Sequence, residues 1–221
     1  MRGMQTAQQR RERLATARLY FVTDSGTDPG VLRGALEGGV DMLQLRDSEP
    51  DDEALLRAAA TFRALCDEYG ALFWINDRPD LALLAHADGV HLGQDDMNVE
   101  DAGQVTGGEL LVGLSTHSPE QLELGIAAGA DQLSVGPVWE TPTKPGRPAA
   151  GLGYVRHAAE LRPPVPWFAI GGIDADNIDE VVEAGAERAV VVRAIRDADH
   201  PREVASELRA ALERRPVGAA Q

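Results

Sequence analysis

Two aspartates, Asp77 and Asp96, sit where a divalent metal could use them. Each follows a short apolar run. Mg²⁺ takes one or two carboxylates and completes its shell with water and substrate phosphate oxygens. Aspartate is also a good helix N-cap, so the pair alone is weak evidence. Asn76, Arg46 and Lys144 turn it into a credible diphosphate–metal site. Lys144 stands out because the chain has twenty arginines and this single lysine, in a proline-flanked loop where a compact point charge would have a use. A second anion site is legible in Ala169-Ile170-Gly171-Gly172-Ile173, with a helix start near Asp174. Bare backbone N–H groups at a helix N-terminus bind phosphate, although a plain tight turn would use the same glycines. Arg193 could add a charge-assisted bond there, or simply be a solvated residue opening a helix. Among the histidines, His86, His157 and His200 read as surface positions, and no pair has zinc-ligand spacing. His91 and His117 fall near the same mouth and are assigned no catalytic role.

The elements that must carry these residues alternate along the chain. Strands are predicted at Arg18–Thr23, Asp41–Leu45, Ala71–Asn76, Asp88–Leu92, Leu110–Leu114, Asp131–Val135, Pro166–Ile170 and Glu187–Val192. They lack strict polar alternation, as expected of parallel strands covered on both faces. Amphipathic segments lie near 29–38, 51–69, 79–86, 98–107, 118–128, 153–162, 175–184 and 200–213. An echo of small residues closing on an acid recurs at Asp41, Asp88, Asp131 and Glu187, at the even-numbered strands. No strand is followed by a GxGxxG turn, so an open doubly wound sheet is disfavoured. The expected architecture is α/β, a single (β/α)8 TIM barrel over residues 18–214, with a polar N-terminal arm at 1–17 and a tail at 215–221. The arm reads as frayed, with a helical extension left open. Catalytic groups of such barrels lie at the C-terminal ends of the strands, which is where the residues above fall.

A formal charge of −15 excludes nucleic acid and anionic membranes as natural partners. No apolar run reaches the length of a membrane span. With 43% hydrophobic residues the chain can bury a core. Cys66, the single cysteine, sits in a helical apolar pattern and reads as a buried structural thiol suited to a reducing cytoplasm. Any phosphate chemistry therefore needs its positive charge concentrated locally.

Gln44-Leu45-Arg46, Asn76-Asp77, His91-Leu92-Gly93-Gln94 with Asp96, Gly136-Pro137 before Thr141-Pro142-Thr143-Lys144, and Ala169 to Ile173 together resemble the thiamine-phosphate synthase family. The likeness runs in order from about residue 18 to 213. It implies that Gln44, Arg46, Asn76, Ser115 and Lys144, with position 48, hold an aminopyrimidine diphosphate. Arg46, Ser115 and Lys144 would be catalytic, and Asp77 and Asp96 would bind one Mg²⁺ per site. Thr141, Pro142, Thr143, Gly171, Gly172, Val192 and Arg193 would hold a thiazole phosphate. The implied reaction expels pyrophosphate, leaving a carbocation-like methylene for the thiazole nitrogen to capture. Three positions depart from the pattern. Ser48 replaces a usual lysine, Glu140 a frequent proline and Arg193 a frequent serine; Arg147 is a candidate substitute for the missing lysine.

Three rivals share the barrel. A thiazole tautomerase is expected to lack the metal carboxylates. A catalytically silent barrel binding thiamine precursors draws its support from Ser48. A phosphate-sugar isomerase would need an acid/base pair that the mouth does not offer. The expected partners are small phosphorylated molecules, with a homo-oligomer left open.

Overall fold

All eight apolar runs form strands, and their hydrogen bonds close into a ring. The computed structural model describes residues 6–47, 51–141 and 148–214. It begins with α1 (Ala7–Thr16), then β1 (Leu19–Thr23), α2 (Pro29–Glu37), β2 (Met42–Leu45), α3 (Asp52–Tyr69), β3 (Leu72–Asn76), α4 (Pro79–Leu84), β4 (Gly89–Leu92) and α5 (Val99–Val105). It continues with β5 (Leu111–Thr116), α6 (Pro119–Ala127), β6 (Gln132–Val135), α7 (Gly151–Leu161), β7 (Trp167–Ile170), α8 (Ile178–Glu183), β8 (Ala189–Val191), α9 (Arg193–Arg196) and α10 (Pro201–Glu213). The strands pair in parallel in sequence order, and β8 returns to β1, giving the expected (β/α)8 barrel. Among the described residues no helix is long and apolar enough to cross a membrane.

Strand side chains alternate between faces, and the alternation creates two cores. Leu19, Phe21, Leu43, Leu45, Phe73, Ile75, Val90 and Leu92 point outward and are buried under the helices. Tyr20, Val22, Met42, Leu72, Trp74, Leu111, Phe168 and Val190 point inward and fill the lumen. Trp74 dominates that filling, and Gly89 and Gly113 leave room for its indole: a Cβ at Gly89 would lie 2.6 Å from the ring.

The repeated acids hold the lower rim. Asp41 Oδ2 accepts from the backbone N–H groups of Arg18 (2.7 Å) and Leu19 (3.0 Å). Asp88 Oδ2 accepts from Phe73 N (2.8 Å), and Asp131 Oδ2 from Val112 N (2.9 Å). Each acid at the start of an even strand thus satisfies an amide where its odd neighbour begins, which accounts for a spacing of two β/α units. Glu187, the fourth acid, lies 3.6 Å from Arg188.

The N-terminal segment is where the frayed-arm reading is corrected. Residues 7–16 form a helix, opened by a capping box in which Thr6 and Gln9 satisfy each other's backbone amides. Leu14 and Ala17 plug the bottom of the lumen. Arg10, although only 7% exposed, donates to Asp88 at 3.1 Å, and Arg11 reaches Asp131 at 2.7 Å. Arg188 donates to the carbonyls of Ala15 and Ala17 and so closes the helix end. Asp88 and Asp131 therefore bind the strands and the floor at once. The tail at 215–221 lies outside the described residues.

Candidate active site

The inward rows change character as they rise. At the bottom they are apolar; toward the strand ends they read Gln44, Asn76, His91, Ser115 and Ser134, the polar residues next in line after Met42, Trp74, Gly89, Gly113 and Gln132. These side chains border a cavity of about 340 Å³ to which all eight β/α units contribute. Its placement at the C-terminal mouth follows from strand polarity.

Inside the mouth the polar groups hold one another. Gln44 Nε2 donates to the Tyr20 hydroxyl, itself buried in the lumen. Burial pushes that phenol well above the ordinary tyrosine range, with the Gln44 contact opposing it. His91 Nε2 lies 2.9 Å from Ser115 Oγ, and His91 Nδ1 lies 3.1 Å from Gln132 Oε1. Gln132 Nε2 donates to Ser134 Oγ at 3.0 Å, and Gln94 Nε2 donates to the Ser115 carbonyl at 2.6 Å. His117 Nδ1 is 2.6 Å from the Gly136 carbonyl. Burial also raises Tyr154, to about 12, beneath β5, where its hydroxyl donates to Thr116.

Positive charge is concentrated at two places in this acidic molecule. Arg46, past the end of β2, and Arg193, the first residue of α9, both line the cavity. Neither side chain has a hydrogen bond or ion pair among the described residues. Other arginines are committed elsewhere: Arg63 to Asp88, Arg78 to Asp52 and Asp80, Arg209 to Asp41. A guanidinium left unpaired beside a cavity is a receptor for an anion.

The Gly171–Gly172 turn needs its glycines. Gly171 has φ +111° and Gly172 φ +71°. A Cβ on Gly171 would stand 2.5 Å from Pro137 Cβ and 2.6 Å from its Cα. The turn is strapped to the β6 loop, with Val138 N donating to Ile170 O (2.8 Å) and Trp139 N to Gly171 O (3.1 Å). Asn177 Nδ2 holds the Gly172 carbonyl at 2.9 Å. With α9 beginning alongside, β7 and β8 offer bare amides and Arg193 to one side of the mouth.

The carboxylates stand on another side. Asp77 directly follows β3, with φ +61° and its N–H donating to the His91 carbonyl at 2.8 Å. Asp96 lies in the loop after β4, exposed, its Oδ2 accepting from Gly93 N at 2.8 Å. Both are at the C-terminal end of adjacent strands. Among the described residues no group of three or more His, Cys, Asp or Glu side chains could hold a metal. A donor set of two carboxylates suits Mg²⁺, which takes its remaining oxygens from water and phosphate. It does not suit zinc.

The cavity therefore brings together Gln44, Arg46, Asn76, Ser115, Thr141, Gly171, Gly172, Val192 and Arg193. Glu140 is exposed. Ser48, Pro142, Thr143, Lys144 and Arg147 lie outside the described residues. Sequence reasoning missed Tyr20, Gln132 and Ser134. Counting by twos down the strands from the polar mouth residues would have found them. The helix that Arg193 opens, α9, is only four residues long.

The family model described as thiamine monophosphate synthase matches residues 19–195. A thiamine-phosphate synthase of Nostoc sp. is 53% identical over 194 residues, covering 87% of this chain; the chain spans only 55% of that longer protein. The thiamine-phosphate synthase of Acidothermus cellulolyticus is 50% identical over 204 residues, covering 90% of this chain and 96% of that one. The solved structure of thiamine phosphate pyrophosphorylase from Pyrococcus furiosus superposes with a TM-score of 0.82 at 35% identity, covering 92% and 98% of the two chains. Likeness of this extent, spanning the strands that build the mouth, makes the chain a member of the thiamine monophosphate synthase family.

Proposed function

We propose that the chain joins an aminopyrimidine diphosphate to a thiazole phosphate, producing thiamine phosphate and pyrophosphate. The observation supporting this reading is a single cavity lined by Arg46 and Asn76 on one side and by Gly171, Gly172, Val192 and Arg193 on the other. In a closed ring of eight strands, β3 and β7 stand four apart and face each other. Arg46 and Asn76 line the cavity from β2 and β3, and Asp77 and Asp96 stand in the loops that follow β3 and β4, outside the lining. Gly171, Gly172, Val192 and Arg193 gather around β7 and β8, with Thr141 from the β6 loop. Two phosphorylated substrates bound this way would meet over the middle of the mouth.

In the proposed reaction the bond between the pyrimidine methylene and the diphosphate oxygen breaks, and its electron pair leaves with pyrophosphate. The thiazole nitrogen donates its lone pair to the methylene, forming the new C–N bond. No proton is removed, so no general base is required. Arg46 and Lys144 supply fixed positive charge where negative charge accumulates. Gln44, Asn76 and Ser115 orient the pyrimidine, Ser48 would contact the diphosphate, and the Gly171–Gly172 turn with Pro142, Thr143 and Arg193 would fix the nucleophile. Mg²⁺, one per site on Asp77 and Asp96, would neutralise further charge on the departing group. The small mouth, lined by Arg46 and Arg193 in an otherwise acidic chain, suits small phosphorylated molecules, and buried Cys66 suits a reducing cytoplasm. Incubation with both substrates should release pyrophosphate only when Mg²⁺ is present. Turnover of the thiazole compound alone, without pyrophosphate, would instead make the chain a tautomerase.

A further inference from the structure

The buried chain Ser134–Gln132–His91–Ser115 has a direction, and that direction bears on which ring the mouth accepts. Gln132 is fully buried on β6, one rung below the cavity. Its amide nitrogen is spent on Ser134 Oγ at 3.0 Å, so its oxygen is the atom facing His91 Nδ1 at 3.1 Å. A carbonyl oxygen only accepts, so Nδ1 must carry the ring proton. In its neutral form His91 then keeps a lone pair on Nε2, which faces the Ser115 hydroxyl 2.9 Å away and accepts its hydrogen. Ser115 lines the cavity, and with its hydrogen given to His91 its Oγ has only acceptor capacity left. The backbone beneath it is held by Gln94.

We propose that Gln132 is a positioning residue which fixes the His91 tautomer, so that Ser115 presents an acceptor to the cavity and selects a substrate ring bearing an amino group there over one bearing a carbonyl. This rests on the two-substrate reading for the identity of the ring, whereas the tautomer stands without it. A site built to pair with an N–H group rejects an analogue lacking it strongly, by about 10⁴-fold at best, because a buried polar group is left unpaired.

The test uses the full chain labelled with ¹⁵N-histidine, at a pH above the usual histidine range, with the His91 signals identified by their loss in His91→Asn. The expected spectrum has a pyrrole-like Nδ1 and a pyridine-like Nε2. A pyridine-like Nδ1, or two pyrrole-like nitrogens, would overturn the proposal. Gln132→Met, which keeps the volume and removes the carbonyl, should shift His91 toward the other tautomer. It should also lower kcat/KM for the aminopyrimidine diphosphate about tenfold, leaving the KM for the thiazole phosphate unchanged. Gln132→Glu, which retains an acceptor, should restore most of the loss. An unchanged tautomer in Gln132→Met, or equal turnover of amino- and oxo-pyrimidine diphosphates by the native chain, would likewise refute it.

Discussion

Replacing Gly171 with alanine should damage the protein far more than the same change at Gly172, and the structure sets the margin. At Gly171 the new Cβ meets Pro137 Cβ at 2.5 Å, Pro137 Cα at 2.6 Å and Val138 N at 2.8 Å, all ring or backbone atoms that cannot swing away. Forcing an atom into such a contact costs about 1–3 kcal/mol. Holding alanine near φ +111° adds about 1–3 kcal/mol. At Gly172 the backbone is in the left-handed region, where alanine costs about 1–2 kcal/mol. Its nearest neighbour is Trp139 Cβ at 3.1 Å, close enough to require only a small adjustment. A chain of this size loses about 2–4 °C of Tm per kcal/mol. Gly171→Ala should therefore melt roughly 5–20 °C below the native chain, and Gly172→Ala less than half as far below. Thermal unfolding followed by circular dichroism gives the ranking, and calorimetric titration with inorganic phosphate gives its functional counterpart, with Gly171→Ala binding more weakly. If Gly171→Ala melted like the native chain, or Gly172→Ala proved the worse of the two, the strapped-turn reasoning would be wrong.

Other consequences can be checked in the same way. Arg10→Ala removes one partner of the buried Asp88 carboxylate, which keeps Arg63 and the Phe73 amide, and should cost about 1–3 kcal/mol in urea unfolding; an unchanged midpoint would demote α1 to an ornament. Arg193→Ala removes a guanidinium that has no hydrogen bond or ion pair among the described residues and should raise the KM for the thiazole phosphate about tenfold or more, the scale of a charged hydrogen bond; an unchanged KM would make Arg193 a solvated helix residue. Lys144→Ala should lower turnover about 10²-fold, and Asp96→Asn should raise the Mg²⁺ needed for half-maximal rate; near-normal values would remove each from its assigned role. Burial pushes the Cys66 thiol above its ordinary value of 9.0, so the folded state keeps a proton that the unfolded chain releases. Stability from this group is complete below about pH 9 and falls as pH rises beyond it, by up to about 1.4 kcal/mol per unit. Cys66→Ala should flatten that limb in denaturation midpoints measured at about pH 8 to 10 (about one unit either side of the ordinary thiol value of 9.0), and an unaltered slope would assign it to another group.

The parallel strands were legible because burial on both faces leaves continuous apolar runs, and their number and order gave the barrel. The acid echo at Asp41, Asp88 and Asp131 was visible, but its purpose was not. It depends on which backbone amide lies across a strand boundary, and on Arg10 meeting Asp88 from 78 residues away. Helix α1 was obscured by its own composition: a polar segment with Leu14 as its one large buried aliphatic looks like a frayed arm until the lumen it closes is known. Arg46, Asn76, Asp77 and the Gly171–Gly172 turn could be found because each directly ends or follows a strand. The His91 relay could not. His91, Ser115, Gln132 and Ser134 come from β4, β5 and β6, and meet only through the register that sets His91 beside Gly113 and Gly113 beside Gln132.

A crystal structure of the chain soaked with pyrophosphate and Mg²⁺ tests the two-ended mouth most directly. The metal should lie on Asp77 and Asp96, and the pyrophosphate should reach Arg46 and Lys144 at the β2–β4 side, leaving Gly171, Gly172 and Arg193 free for the second substrate. Pyrophosphate confined to the Gly171–Gly172 turn, with the metal bound to neither aspartate, would contradict the account.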